Sequence, residues 1–120
     1  MSNPTVDILM ATYNGERYIA EQIESIQHQT YRNWQLLISD DCSTDQTLDI
    51  ARRYASQDSR IHIVSEGVRY GGAKENFFSL IERATSAYAM FCDQDDVWLP
   101  NKVSETLNAE IALENGNYEK

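Results

Sequence analysis

Basic residues are scarce: the 120-residue chain carries 10 lysines and arginines against 19 aspartates and glutamates, a formal net charge of -9. A protein that grips nucleic-acid phosphates needs the opposite sign gathered into a stripe, so nucleic acid is not an expected partner. Cysteine is almost absent. Cys42 and Cys92 make neither a disulfide framework nor a zinc-ligand spacing, and His28 and His62 add too little for a histidine–cysteine metal centre. Each cysteine reads as a small apolar residue near a strand end. No apolar run approaches the roughly 18 residues of a membrane span. The Met-Ser-Asn-Pro-Thr start lacks the basic and apolar regions of a secretory leader. These absences point to a reducing cytoplasm. No Gly-x-Gly-x-x-Gly follows the first apolar run, which argues against a nicotinamide cofactor.

What is present is an ordinary globular composition, 42% hydrophobic and 24% charged, enough for one domain and not two. Strand and helix signals alternate along it. Val6 to Ala11 is a short apolar run without helical period, broken by Asn14-Gly15. Ile19, Ile23 and Ile26 then mark one face of a helix ending near Gln29. Trp34 to Ser39 is a second strand. Ser43 with Gln46 three residues later has the pattern of a capping box, opening a helix whose inner face is Leu48, Ala51 and Ala55. Ile61 to Val64 reads as a third strand, and Phe77, Ile81 and Ala84 as a third helix. Tyr88 to Cys92 is a fourth strand. Pro100 precedes a fourth helix with Val103, Leu107 and Ile111 at four-residue steps. Residues 1–113 form the domain, and 114–120 are a polar tail that frays.

The order β-α-β-α-β-α-β-α predicts an α/β fold, Rossmann-like and doubly wound, around a mainly parallel sheet. The commonest winding gives strand order 3-2-1-4, and ligands then sit at the carboxyl ends of the strands. Those ends are polar. Thr12-Tyr13-Asn14 follows the first strand, Asp40-Asp41 the second, and Asp93-Gln94-Asp95-Asp96 the fourth. The predicted order brings five carboxylates into one crevice. Two like charges about 4 Å apart repel by roughly 4 kcal/mol at an effective dielectric of about 20. Such crowding needs protons, backbone donors or a cation to offset it. A hard divalent ion, Mg²⁺ or Mn²⁺, suits Asp93-x-Asp95 with a diphosphate, since it accepts one or two carboxylates and fills its other positions with phosphate and water. Each cluster also has a plainer reading: Asp41 as a helix cap, and Asp93 to Asp96 as a polar turn.

The run Val6-Asp7-Ile8-Leu9-Met10-Ala11-Thr12-Tyr13-Asn14-Gly15, then Glu21 to Tyr31, then Ile38-Ser39-Asp40-Asp41-Cys42-Ser43-Thr44-Asp45, resembles the opening of family 2 glycosyltransferases with the GT-A fold. Phe91 to Pro100 is similar to their Asp-x-Asp segment, and the likeness covers about residues 5 to 108. The resemblance implies a nucleotide-sugar-binding half. Thr12, Tyr13 and Asn14 border the base pocket, with Tyr13 against the base. Asp40 and Asp41 lie on the donor side, Asp41 accepting the ring N–H of uracil or thymine. Asp93 sits near ribose and diphosphate, Asp95 is the main metal ligand with Asp93 beside it, and Asp96 starts a helix or stands behind the ligands. Arg69 and Lys74 are the cations near the diphosphate. The segment Gly67 to Phe77, with Cys92 to Trp98, is similar to bacterial rhamnosyltransferase-like members that build surface polysaccharides.

Implied partners are a UDP- or dTDP-linked donor and a saccharide or lipid-linked acceptor, with Mn²⁺ or Mg²⁺ as cofactor. The inner face of a membrane is a further setting for the parent protein, and an exposed sheet edge allows a homodimer. The family draws its catalytic base from a later, acceptor-binding half, so no catalytic residue is expected among these 120, and the isolated chain is expected to be inactive in transfer. A second reading from another class is a nucleotide-diphosphate-binding module without turnover. A third, a phosphoacceptor receiver domain, wants paired aspartates after the first strand and a lysine after a fifth; the pair here follows the second strand.

Overall fold

The computed structural model describes residues 3–93 and 96–114. Eight elements alternate: β1 (Val6–Thr12), α1 (Ile19–Gln27), β2 (Trp34–Asp40), α2 (Thr47–Gln57), β3 (Ile61–Ser65), α3 (Ala73–Arg83), β4 (Tyr88–Cys92) and α4 (Lys102–Glu114). The strands form one sheet in the order β3-β2-β1-β4, every neighbouring pair parallel, as the alternation predicts.

Every residue of β1 is buried, because helices cover both of its faces. Val6, Ile8 and Met10 point into the larger core with Ile19, Ile23 and Ile26 of α1, Ala51 of α2, and Val103 and Leu107 of α4. Leu9 and Ala11 alternate to the other face and meet Leu37 and Leu80, the latter from α3. Period-two alternation on a strand thus divides between three helices on one side and one on the other. At the amino end of β1, buried Asp7 accepts hydrogen bonds from Thr85 N (2.7 Å), Ser86 N (3.0 Å) and Ser86 Oγ (2.7 Å). The carboxylate closes the turn into β4 at the end of the sheet away from the polar loops.

Three expectations need correction. The Ser43/Gln46 capping box does not form: α2 starts at Thr47 without a side-chain cap from Gln46, and Asp45 accepts the Thr47 N–H at 3.0 Å instead. The Ser43 hydroxyl is drawn away to Asp40, 2.6 Å distant. The inner face of α2 is Thr47, Ile50, Ala51, Tyr54 and Ala55, with Leu48 outside that cluster. On α3 the buried positions are Asn76 and Leu80, flanked by Phe77 and Ala84, while Ile81 is 47% exposed. In both helices the apolar residue chosen from the sequence lies one position off the stripe that packs.

Candidate functional site

The carboxyl ends of β1 and β2 are in register, Thr12 opposite Asp40, and β4 joins at Met10 opposite Cys92. The chain leaves β1 and β2 through two residues with left-handed backbone, Asn14 (φ 48) and Cys42 (φ 52). Asparagine takes that region more readily than most residues; a cysteine there carries strain held in place by its surroundings. A cavity of about 550 Å³ opens above these ends. Ala11, Thr12, Tyr13, Asp41 and Asp93 wall it from the sheet side, Arg69, Gly71 and Gly72 from the loop before α3, and Ala73, Asn76 and Phe77 from α3.

Of the four expected carboxylates among the described residues, Asp41 and Asp93 line this space and Asp40 and Asp96 do not. Asp40 is buried and held by three donors, accepting from Thr12 Oγ1 (2.7 Å), Ser43 N (2.8 Å) and Ser43 Oγ (2.6 Å). It locks β1 to β2 beneath the cavity and does not line it. Asp41 does line it, and backbone donors hold its charge: Tyr70 N at 2.5 Å and Gly71 N at 3.3 Å on one oxygen, Gly72 N at 3.1 Å on the other. Asp93 is exposed, and its carboxylate accepts no hydrogen bond among the described residues. Asp96 accepts from the Trp98 indole at 3.3 Å and lies well before the start of α4, so it is not a helix-start residue. Asp95 lies outside the described residues. Among those described, no group of three His, Cys, Asp or Glu side chains is placed to hold a metal. Hydroxyl and backbone N–H donors offset the charge on Asp40 and Asp41.

Thr12, Tyr13, Asp41, Arg69 and Asp93 therefore meet at one cavity, whereas Asn14, Asp40 and Lys74 do not line it. Asn14 shapes the turn: its N–H donates to Ser43 Oγ (2.9 Å) and its Oδ1 accepts from Thr44 N (2.8 Å). Lys74 sits on the outer side of α3, its Nζ 6.0 Å from the Phe78 ring centroid.

Two groups of residues were not foreseen. Asn76, 2% exposed, donates from Nδ2 to Ser39 O at 2.9 Å and fixes α3 against the end of β2. Gln22, Ser25 and Gln29 make a polar row at three- and four-residue spacing along α1 and just past it. Gln22 Nε2 donates to Asp93 O (2.6 Å), Ser25 Oγ accepts from Trp98 N (3.1 Å), and Gln29 binds both Leu99 O (2.7 Å) and Val103 N (2.9 Å). The spacing was readable beside the isoleucine stripe. Polar residues on a helix normally face water, which masked it.

The sequence profile described as glycosyl transferase family 2 matches residues 7–115. The chain belongs to that family. It is 39% identical over 112 residues to the dTDP-rhamnosyl transferase RfbG of Shigella flexneri, an alignment that takes in 90% of this chain and 38% of that protein. Among solved structures, the Staphylococcus aureus TarS 1-349 complex with UDP superposes with a TM-score of 0.76 at 26% identity, over 92% of this chain and 32% of that one. The Pyrobaculum calidifontis mannosyltransferase PcManGT, in complex with GDP-Man and Mn²⁺, gives 0.72 at 26% identity, over 82% and 29%. The chain spans less than half the length of the curated relatives it matches, 38 to 47% for the first three. No helix among the described residues is long and apolar enough to cross a membrane.

Proposed function

We propose that this family 2 chain binds a uridine or thymidine diphosphate sugar together with a divalent cation, for glycosyl transfer in bacterial surface polysaccharide synthesis. The observation that carries the reading is the cavity itself, which joins an exposed aromatic ring, a buried carboxylate, a cation and an exposed carboxylate. Tyr13, 48% exposed, offers a face on which a base can stack. A carboxylate has about four lone-pair positions. The loop N–H groups fill three on Asp41, and the remaining one suits the single ring N–H of uracil or thymine. Arg69 supplies planar donors for phosphate oxygens. The dTDP donor in the name of RfbG and the UDP in the TarS complex support these two bases.

The donor set fits a hard cation. Asp93 contributes oxygen, no histidine or cysteine cluster competes among the described residues, and Asp95 is two positions further on. Mg²⁺ and Mn²⁺ typically use one or two carboxylates and complete their shell with phosphate. Such an ion would stabilise charge on the departing diphosphate. This chain's own residues hold the base, orient the phosphates and anchor Asp93 through Gln22. An acceptor hydroxyl needs a carboxylate within hydrogen-bond reach to take its proton. In this reading that group belongs to an acceptor-binding part of the parent protein.

Titration calorimetry with UDP and dTDP, each with and without Mn²⁺, tests the proposal. Binding should tighten about tenfold with Mn²⁺, or about 1.4 kcal/mol. Asp93→Ala and Asp95→Ala should each reduce that increment, the latter to nothing. Absence of binding by either nucleotide, with or without the ion, would overturn the reading.

A further inference from the structure

We propose that Tyr70 is a positioning residue for Asp41: its hydroxyl latches the loop 66–72 so that the loop's N–H groups hold the Asp41 carboxylate at the cavity wall. Tyr70 does not itself line the cavity, so its effect on a ligand passes through Asp41 and through its loop neighbours Arg69, Gly71 and Gly72, which do. Its two ends do different jobs. The backbone N–H donates to Asp41 at 2.5 Å. The hydroxyl lies 2.5 Å from Ser65 Oγ at the end of β3 and 3.0 Å from Ser79 Oγ on α3, with Arg83 donating to Ser79 at 2.9 Å.

At its start the loop is also tied by the half-exposed ion pair of Glu66 with Arg52. It turns at Gly67 (φ 75) and Gly71 (φ 82), and a Cβ at either would meet nothing within 4 Å, so neighbouring atoms do not wedge the chain at these points. Three donors converging on one carboxylate form an anion-binding concavity. The entropy of ordering the loop must be offset by contacts elsewhere. The hydroxyl pair supplies an anchor independent of the carboxylate. The same hydrogen bonds, from Ser65 first and then Ser79, with Arg83 and Ser39 behind them, bring the Tyr70 phenol down to about 8 from its ordinary 10. A depressed folded value stabilises the fold fully above pH 10, and that contribution is lost as pH falls through 8. Tyr31, raised by burial, and Tyr54, raised chiefly by its hydrogen bond to Glu24, titrate later than Tyr70.

The ligand side of this inference rests on the nucleotide reading; the latch does not. Tyr70→Phe keeps the ring and the backbone donor and removes the hydroxyl. Without nucleotide, hydrogen exchange at residues 70–72 and tryptic cleavage after Arg69 should speed up about tenfold, and the tyrosinate absorbance step near pH 8 should vanish. With nucleotide, the variant should bind UDP or dTDP roughly three- to tenfold more weakly, with the tightening by Mn²⁺ unchanged. Ser79→Ala, which leaves one hydroxyl partner, should fall between. Unchanged loop protection in Tyr70→Phe overturns the latch. Faster exchange with unchanged nucleotide affinity overturns the positioning role. If the parent chain binds no nucleotide, the functional reading fails while exchange and titration still decide the latch.

Discussion

Alanine at position 41 should weaken UDP or dTDP binding by roughly 100-fold, the largest loss expected from any side chain lining the cavity. A hydrogen bond to a charged group contributes about 1.5 to 3 kcal/mol, and here two losses add. The base loses its acceptor, and three loop N–H groups lose the charge they converge on. Asp41→Asn should follow most of the way, because its amide hydrogens would face backbone donors. Calorimetric titration of both variants against the parent chain checks this. An Asp41→Asn variant with parental affinity would mean that the carboxylate serves the loop and not the ligand. Asp40 provides the contrast: engaged by Thr12 and Ser43 beneath the cavity, it should affect stability far more than affinity.

Gln29→Leu should cost the fold about 3 kcal/mol. The side chain is wholly buried, donates to Ser25 O (3.1 Å) and Leu99 O (2.7 Å), and accepts from Val103 N (2.9 Å). Leucine fills similar space but strands the backbone groups of two other segments, and each buried unpaired group costs about 1 to 3 kcal/mol. Urea denaturation should show a lower midpoint with an unchanged slope. A loss below about 1 kcal/mol would mean that water or Thr30, whose N–H donates to Pro100 O at 2.8 Å, takes over the connection. Gln22→Leu, with its one strong bond to Asp93 O, should cost less and should also loosen Asp93.

The fold was largely legible because each strand is a short apolar run and every break except Ala84-Thr85-Ser86-Ala87 carries Gly, Asn, Asp or Pro. The 3-2-1-4 order follows from parallel connections of one hand. The cavity lining was legible at Thr12, Tyr13, Asp41 and Asp93, since a strand end in such a sheet faces the ligand crevice, and Arg69 came from the family resemblance. What escaped was the difference between neighbours. Asp40 and Asp41 look alike in sequence, yet successive residues leaving a strand point to opposite sides, so one is a lock and the other lines the cavity. The capping-box pattern at Ser43 was misleading because Asp40, three residues earlier, competes for the same hydroxyl. Gln22 and Gln29 carry no local sign of burial; their partners lie 71 and 74 residues downstream.

That separation has a kinetic corollary. The bonds that seat β4 and the start of α4 join positions 70 to 79 residues apart, as in Gln29 with Leu99 and Asp7 with Ser86. Contacts so distant in sequence form late, because loop closure must precede any reward. The β1–α1–β2 portion can assemble early, while the edge carrying Asp93 docks at the end and is the first to come away. A nucleotide bound as proposed, from Tyr13 to Asp93, would bridge the earliest and latest parts of the molecule, and its occupancy would report on whether the last seam is shut. In a chain emerging from synthesis, donor affinity would switch on abruptly once the second half of this segment is free to dock.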